Sequence, residues 1–170
     1  MTPTLTMRPL CAEGGEAEAC ARLMSSTEPW VTLGRTYEAS LATLTDPAKE
    51  TWVAEVDGAP AGFLILSLRG AFTGYIQTIC LAPEYRRRGL GREMVAWAER
   101  RIFAVSPNVF LCVSSFNHDA RRLYERLGYQ VVGELTDYLV AGHSEILMRK
   151  SLGPWSTWSA GSSSSTIPRR

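Results

Sequence analysis

The stretch Tyr75-Ile76-Gln77-Thr78-Ile79-Cys80-Leu81-Ala82-Pro83-Glu84-Tyr85-Arg86-Arg87-Arg88-Gly89-Leu90-Gly91 decides the fold. Tyr75–Leu81 reads as a strand that follows a turn around Gly70 and Gly74, and Ala82–Gly91 as a short loop. A helix then runs from about Leu90 to Ala104, because Leu90, Met94, Ala98 and Ile102 recur every four residues on one face. The start of a helix has unpaired amides and a partial positive charge, so it binds anions through its main chain. Gly89 and Gly91 let an anion approach the backbone, since neither carries a Cβ. Arg86, Arg87 and Arg88 add positive charge there. The Gly-Lys-Ser/Thr of a P-loop and the Gly-x-Gly-x-x-Gly spacing of a dinucleotide fold are both missing. What remains is Arg-x-x-Gly-x-Gly, an anion site of moderate specificity.

Upstream, Thr4–Pro9 reads as a first strand, and Glu16–Met24 as a helix with Ala17, Cys20, Ala21 and Met24 on one face. After Ser25–Trp30, the stripe Leu33, Tyr37, Leu41, Leu44 predicts a second helix, ended by Asp46-Pro47. The runs Thr51–Val56 and Ala61–Leu68 are β-rich, and Asp57-Gly58-Ala59-Pro60 between them signals a hairpin. Downstream, Val109–Val113 is a strand. Asn117 suits a helix N-cap, Asp119 the first turn, and Gly128 the stop. Tyr129–Gly133 and Glu145–Arg149 are the last strands. Residues 153–170 are rich in Ser and Gly and read as a flexible tail behind a domain of residues 1–152.

A chain of 170 residues fits one domain, and its 45% apolar and 21% charged composition is that of a soluble globular protein. The net charge of +1 argues against nucleic acid or an anionic membrane as partner. Arg92, Arg100 and Arg101 could extend the basic loop into such a surface, but Glu93 and Glu99 share their helix. Cys11, Cys20, Cys80 and Cys112 form no CxxC pair, and His118 and His143 add no metal-ligand grouping, so neither a disulfide framework nor a metal is expected. The N-terminus lacks a signal-peptide pattern and no apolar run reaches membrane-spanning length, which makes a cytoplasmic protein the expectation.

Arg86–Gly91 resembles the Q/R-x-x-G-x-G/A pyrophosphate loop of the GNAT N-acetyltransferase superfamily. A second resemblance lies in Asn117-His118-Asp119-Ala120-Arg121-Arg122-Leu123-Tyr124-Glu125-Arg126-Leu127-Gly128-Tyr129, which is similar to that superfamily's N-x-x-A-x-x-L-Y-x-x-x-G-F/Y segment. The resemblance implies an α/β (α+β) fold: a single mixed, mostly antiparallel twisted sheet, flanked by helices, with its fourth and fifth strands splayed. It also implies acetyl-CoA as donor and an amine-bearing acceptor, in a monomer or homodimer, with no metal. By that likeness the main-chain groups of Ile79 and Leu81 pair with the pantetheine arm. The amides of Arg87, Arg88, Gly89, Leu90, Gly91 and Arg92 surround the pyrophosphate, Arg86 belongs to the same cofactor loop, and Asn117, Ala120 and Tyr124 complete the cofactor side.

Tyr124 is implied as the acid that meets the departing thiolate, a phenol of pKa about 10 beside a thiol of about 8.5. A packing role on the Ala120–Leu123–Leu127 face is the alternative. An alkylamine is mostly protonated at neutral pH, so a base is required as well. The ribosomal-protein branch of the superfamily places a glutamate where this chain has Cys112, a poor base. Glu28, Asp137, His143 and Glu145 are the other candidates. The acceptor is implied to lie between residues 25–35 and 134–144, where Trp30 and Tyr37 could wall a cleft. The alternative to an enzyme is a non-catalytic acyl-CoA-binding sensor.

Overall fold

The computed structural model describes residues 4–11 and 13–161. In chain order these form β1 (Leu5–Pro9), α1 (Glu16–Ser25), α2 (Tyr37–Leu44), β2 (Glu50–Val56), β3 (Ala59–Ser67), β4 (Tyr75–Leu81), α3 (Leu90–Phe103), β5 (Asn108–Ser114), α4 (His118–Arg126), β6 (Gln130–Leu135) and β7 (Glu145–Ser151). The strands build one sheet in the order β1-β2-β3-β4-β5-β7-β6. Every neighbouring pair is antiparallel except β4 with β5.

Local chemistry explains the first half. Asp57 and Gly58 both have positive φ, 51° and 83°, and they join Val56 directly to its partner Ala59. This two-residue connection matches the right-handed twist of the strands. The sequence signal extended to Pro60, but Pro60 is already in β3, opposite Glu55, next to a bulge that tolerates its missing N–H. Two residues on, β3 and β4 approach so closely at Gly62 that a Cβ there would lie 2.1 Å from the Cys80 carbonyl oxygen.

The sheet buries both faces. On one, Met94, Val95, Ala98 and Ile102 of α3 pack against Leu64, Leu66, Ile76, Val109, Leu111, Val113, Ile146 and Met148. Each large side chain so buried contributes roughly 1.5–3 kcal/mol. Ala120, Tyr124 and Leu127 of α4 join that face only as half-buried residues. On the other, Cys20, Ala21 and Met24 of α1 and Leu44 of α2 cover Val53, Phe63, Ile65 and Cys80. Ion pairs tie the α3 face to the strands: Arg101 with Glu50 at 2.5 Å, and Lys150 with Glu99 at 2.8 Å.

The parallel pair is short. Only Tyr75 with Phe110 and Ile76 with Leu111 are registered, after which β4 and β5 part. Beyond that point β4 stays paired to β3 as far as Leu81, and β5 to β7 as far as Ser114. The sheet is therefore open down its middle.

Three expectations change. The second helix starts at Tyr37, not among residues 31–33. The Thr36 side chain accepts from the Ala39 amide as N-cap, and Gly34 at φ 64° turns the chain just before it, leaving Leu33 outside. The last two strands extend to Leu135, which pairs with Glu145 in their hairpin, and to Ser151, which pairs with Asn108 of β5. In the segment expected as a tail, Trp155–Thr157 forms a 3-10 turn and Trp155 meets Trp158 edge-on, with ring centroids 5.4 Å apart. Residues 162–170 of that segment lie outside the described residues.

Gly62→Ala should lower the stability of the folded state by about 1–3 kcal/mol, since the new methyl meets main chain that cannot yield cheaply. Chemical denaturation followed by circular dichroism measures this; an unchanged midpoint would mean that β3 and β4 can separate without loss.

Candidate functional site

The gap between β4 and β5 has a defined lining. The Ala82 amide donates to the Ala61 carbonyl at 2.9 Å, towards β3. By strand alternation the main-chain groups of Cys80 face the same way, and those of Ile79 and Leu81 face the gap. The two are not equivalent. The Leu81 carbonyl accepts a hydrogen bond from Arg86 Nε at 2.9 Å. Arg86 therefore closes the loop onto the strand end, and Ile79 offers the main-chain groups that remain.

At the end of β4 a 3-10 turn, Pro83–Tyr85, leads into the arginines. Arg87 has φ 61° and Gly89 φ 82°. A left-handed arginine costs on the order of 1 kcal/mol, so the loop holds this shape against its local preference. Arg88 stacks over the Tyr85 ring at 5.7 Å. Leu90, buried with Val56 and Ala61, pins the start of α3 to the sheet. The amides of Leu90 and Gly91, at the first two helical positions, lack an intrahelical acceptor. The Arg92 amide does not share that freedom, because it donates to the Gly89 carbonyl at 3.0 Å. A Cβ on Gly91 would meet only Leu123 Cδ2 at 3.8 Å and Leu81 Cδ1 at 3.9 Å, so nothing in the chain forbids one.

Those same contacts bring α4 alongside. Its N-cap is Asn117, whose side-chain oxygen accepts from the Ala120 amide at 3.3 Å. Its C-terminus is a Schellman motif on Gly128, φ 92°. The Tyr129 amide returns to the Tyr124 carbonyl at 3.0 Å and the Gly128 amide to the Glu125 carbonyl at 3.1 Å. The Tyr124 and Tyr129 rings meet edge-to-face, 5.8 Å between centroids, supplying the apolar contact of that motif. Burial pushes the Tyr124 phenol up to about 12. Passing its proton outright to a thiolate of pKa about 8.5 would then be uphill by about 5 kcal/mol. A hydrogen bond that Tyr124 donates to sulfur carries no such cost.

The four candidate bases separate clearly. Glu28 accepts from the Thr32 amide and hydroxyl, and Asp137 from the Gly142 amide, so both organise their own loops. His143 packs edge-on against Phe116. Glu145 is different: it is 5% exposed and accepts from the Ser114 hydroxyl at 2.6 Å. Burial raises its pKa, and the Ser114 hydroxyl partly offsets that. Cys112 is half-buried with its pKa raised, first by burial. Trp30 and Tyr37 pack onto the cluster under α1 and α2.

Two residues absent from the sequence reading complete this region. Tyr75 lies within electrostatic reach of Cys112, Glu145 and Tyr138, and Ser114 is the partner of Glu145. Only the β4–β5 and β5–β7 registers bring them together. Among the described residues no group of three or more His, Cys, Asp or Glu could hold a metal, and no helix is long and apolar enough to cross a membrane. The basic residues are dispersed: Arg101 pairs with Glu50 and Arg86 with Leu81.

Comparison with known proteins adds context. The pattern of the acetyltransferase (GNAT) family matches residues 17–129. The chain is 30% identical over 141 residues to N-alpha-acetyltransferase RimI of Mycobacterium tuberculosis, covering 81% of this chain and 85% of that one. It is 27% identical over 111 residues to N-alpha-acetyltransferase 20 of Dictyostelium discoideum, covering 62% of this chain and spanning only 64% of the length of that relative. An aminoglycoside 6'-N-acetyltransferase solved in complex with coenzyme A superposes with a TM-score of 0.70 at 16% identity, over 88% of this chain and 98% of that one.

Asn117→Ala should destabilise α4 by about 0.5–2 kcal/mol through loss of its cap, whereas Asn117→Asp should retain most of the stability. Thermal unfolding of both variants tests this; equal losses would show that the side-chain amide, and not the capping oxygen, holds the helix.

Proposed function

The chain belongs to the acetyltransferase (GNAT) family, and on that footing we propose that it transfers the acetyl group of acetyl-CoA to a primary amine by direct attack in a ternary complex. The observation that carries this is the opening between β4 and β5, which leads to the free amides at the start of α3.

The donor fits that path. The pyrophosphate lies against the amides of Arg87, Arg88, Gly89, Leu90 and Gly91, with the α3 dipole behind them. The pantetheine arm extends along the edge of β4 and takes the place of the missing strand. The Ile79 amide meets the thioester oxygen, a fixed donor of the kind worth roughly 3 kcal/mol as charge develops there. Asn117 and Ala120 border the arm from α4. Tyr124 donates a hydrogen bond to the sulfur and so stabilises the thiolate as it forms. Arg86 and Arg92 shape the loop, through the Leu81 carbonyl and the Gly89 carbonyl respectively.

Two of the relatives carry names that specify N-alpha-acetylation, and this favours the α-amine of a peptide as acceptor. Release of CoA thiol from acetyl-CoA in the presence of peptides and small amines tests the activity. Binding of acetyl-CoA without turnover on any amine would instead make the chain a non-catalytic acyl-CoA sensor.

Gly91→Val should leave the fold intact and raise the dissociation constant for CoA about tenfold or more, measured by calorimetry. Unchanged affinity would remove the loop from the donor site. Tyr124→Phe should lower kcat about tenfold to a hundredfold with CoA affinity nearly unchanged, the loss of one hydrogen bond to a developing charge. An unaltered kcat would leave Tyr124 with its packing role alone.

A further inference from the structure

Glu145 is the one strongly buried carboxylate among the candidate bases, and transfer as described so far gives it no task. Its place follows from the registers. Ile76 and Leu111 are the last pair between β4 and β5. Ile79 stands three residues further along β4, one of them spent in the bulge between Ile76 and Thr78, and Ser114 three residues further along β5, so the two lie within about one residue of each other's height on the two walls of the gap. Ser114 is registered with Glu145 of β7. Glu145 therefore stands within about one residue of the height of the amide that meets the thioester oxygen.

The faces matter as much as the height. Ile146 and Met148 point into the core beneath α3, on the face to which Tyr124 also belongs. By alternation Glu145, with Ser114 and Cys112, points to the opposite face. Glu145 Oε1 accepts from Ser114 Oγ, and no hydrogen bond to Oε2 occurs among the described residues. The titratable groups around it are Tyr75 on β4, Cys112 on β5 and, beyond Tyr75, Tyr138 in the loop between β6 and β7. All are neutral when protonated, and none is a cation that would tie up the carboxylate.

We propose that Glu145 is the catalytic base, its Oε2 taking the proton from the acceptor amine on the face of the sheet opposite Tyr124. This rests on the acetyl-transfer reading above. The ammonium gives one proton to Oε2, and the freed lone pair forms the N–C bond at the thioester carbonyl. The C–S bond breaks, the thiolate leaves with the electron pair toward Tyr124, and the second proton on nitrogen neutralises the thiolate. The proton on Glu145 returns to solvent. Attack enters from one face and the leaving group departs on the other, so base and thiolate partner do not compete for space. A lone carboxylate suits an α-ammonium, of reference pKa about 7.7–8.0, better than a lysine ammonium at about 10.4.

The test is the pH dependence of kcat with saturating acetyl-CoA and a saturating peptide that has a free α-amine, since kcat reports groups within the complex. The wild type should gain activity as pH rises and the Glu145 carboxyl ionises. Glu145→Gln should lower kcat at least a hundredfold, abolish that acid limb and leave CoA affinity unchanged. Ser114→Ala removes a donor that favours the carboxylate, so its limb should move to higher pH. A folded Glu145→Gln variant with wild-type kcat and an unaltered limb overturns the assignment of the base and leaves acetyl transfer standing. If the Gln variant fails to fold, an unshifted limb in Ser114→Ala overturns the assignment by itself. A wild-type protein that acetylates no amine overturns both readings.

Discussion

Everything in this molecule depends on hydrogen bonds that β4 and β5 do not make to each other. Two strands side by side in mid-sheet would ordinarily pair along their length, each bond contributing about 1 kcal/mol net. Here the ladder stops after Ile76 and Leu111, and both strands persist only because each has a full partner on its other side. Gly62 allows β3 to draw close to β4, and β7 holds β5 through Ser114. The outer halves of the sheet are thus rigid enough to keep an interior edge open.

That edge accounts for the arrangement of the rest. The connection leaving β4 is turned by Arg87 and Gly89 so that α3 starts beside the opening, and Leu90 anchors it there. The arginines of the loop matter first for its shape: Arg86 closes on Leu81 and Arg88 lies on Tyr85. In the proposed reading charge is a secondary contribution, and the main-chain amides form the anion site. Across the gap, the registers of β4 and β5 set Ser114 and Glu145 within about one residue of the height of Ile79.

The loop and helix proposed for the donor were readable because their signals are local. Arg86–Gly91 is one continuous run, and Asn117, Tyr124 and Gly128 mark out a single helix, so caps and spacing were enough. The start of the second helix was misplaced because Leu33 continues an apolar stripe that Gly34 and Thr36 interrupt by backbone geometry. The Leu81 carbonyl and the Arg92 amide read as available groups, and only the folded loop occupies them. The cluster proposed for the acceptor side was opaque for a different reason. Tyr75, Cys112, Ser114 and Glu145 come from three strands and meet only through pairing register, which no periodicity within a strand encodes. Glu145 stood level with three other candidates until burial and a single hydroxyl distinguished it.

The helix α4 has no buried residue, and its order comes from Asn117 at one end and the Gly128 turn at the other. A ligand seated in the gap would add contacts along this helix, so filling the gap should stabilise α4. Tyr124 sits on the last turn of that helix. The helix that registers an empty or a filled gap would then be the one that, in the proposed reading, faces the leaving group.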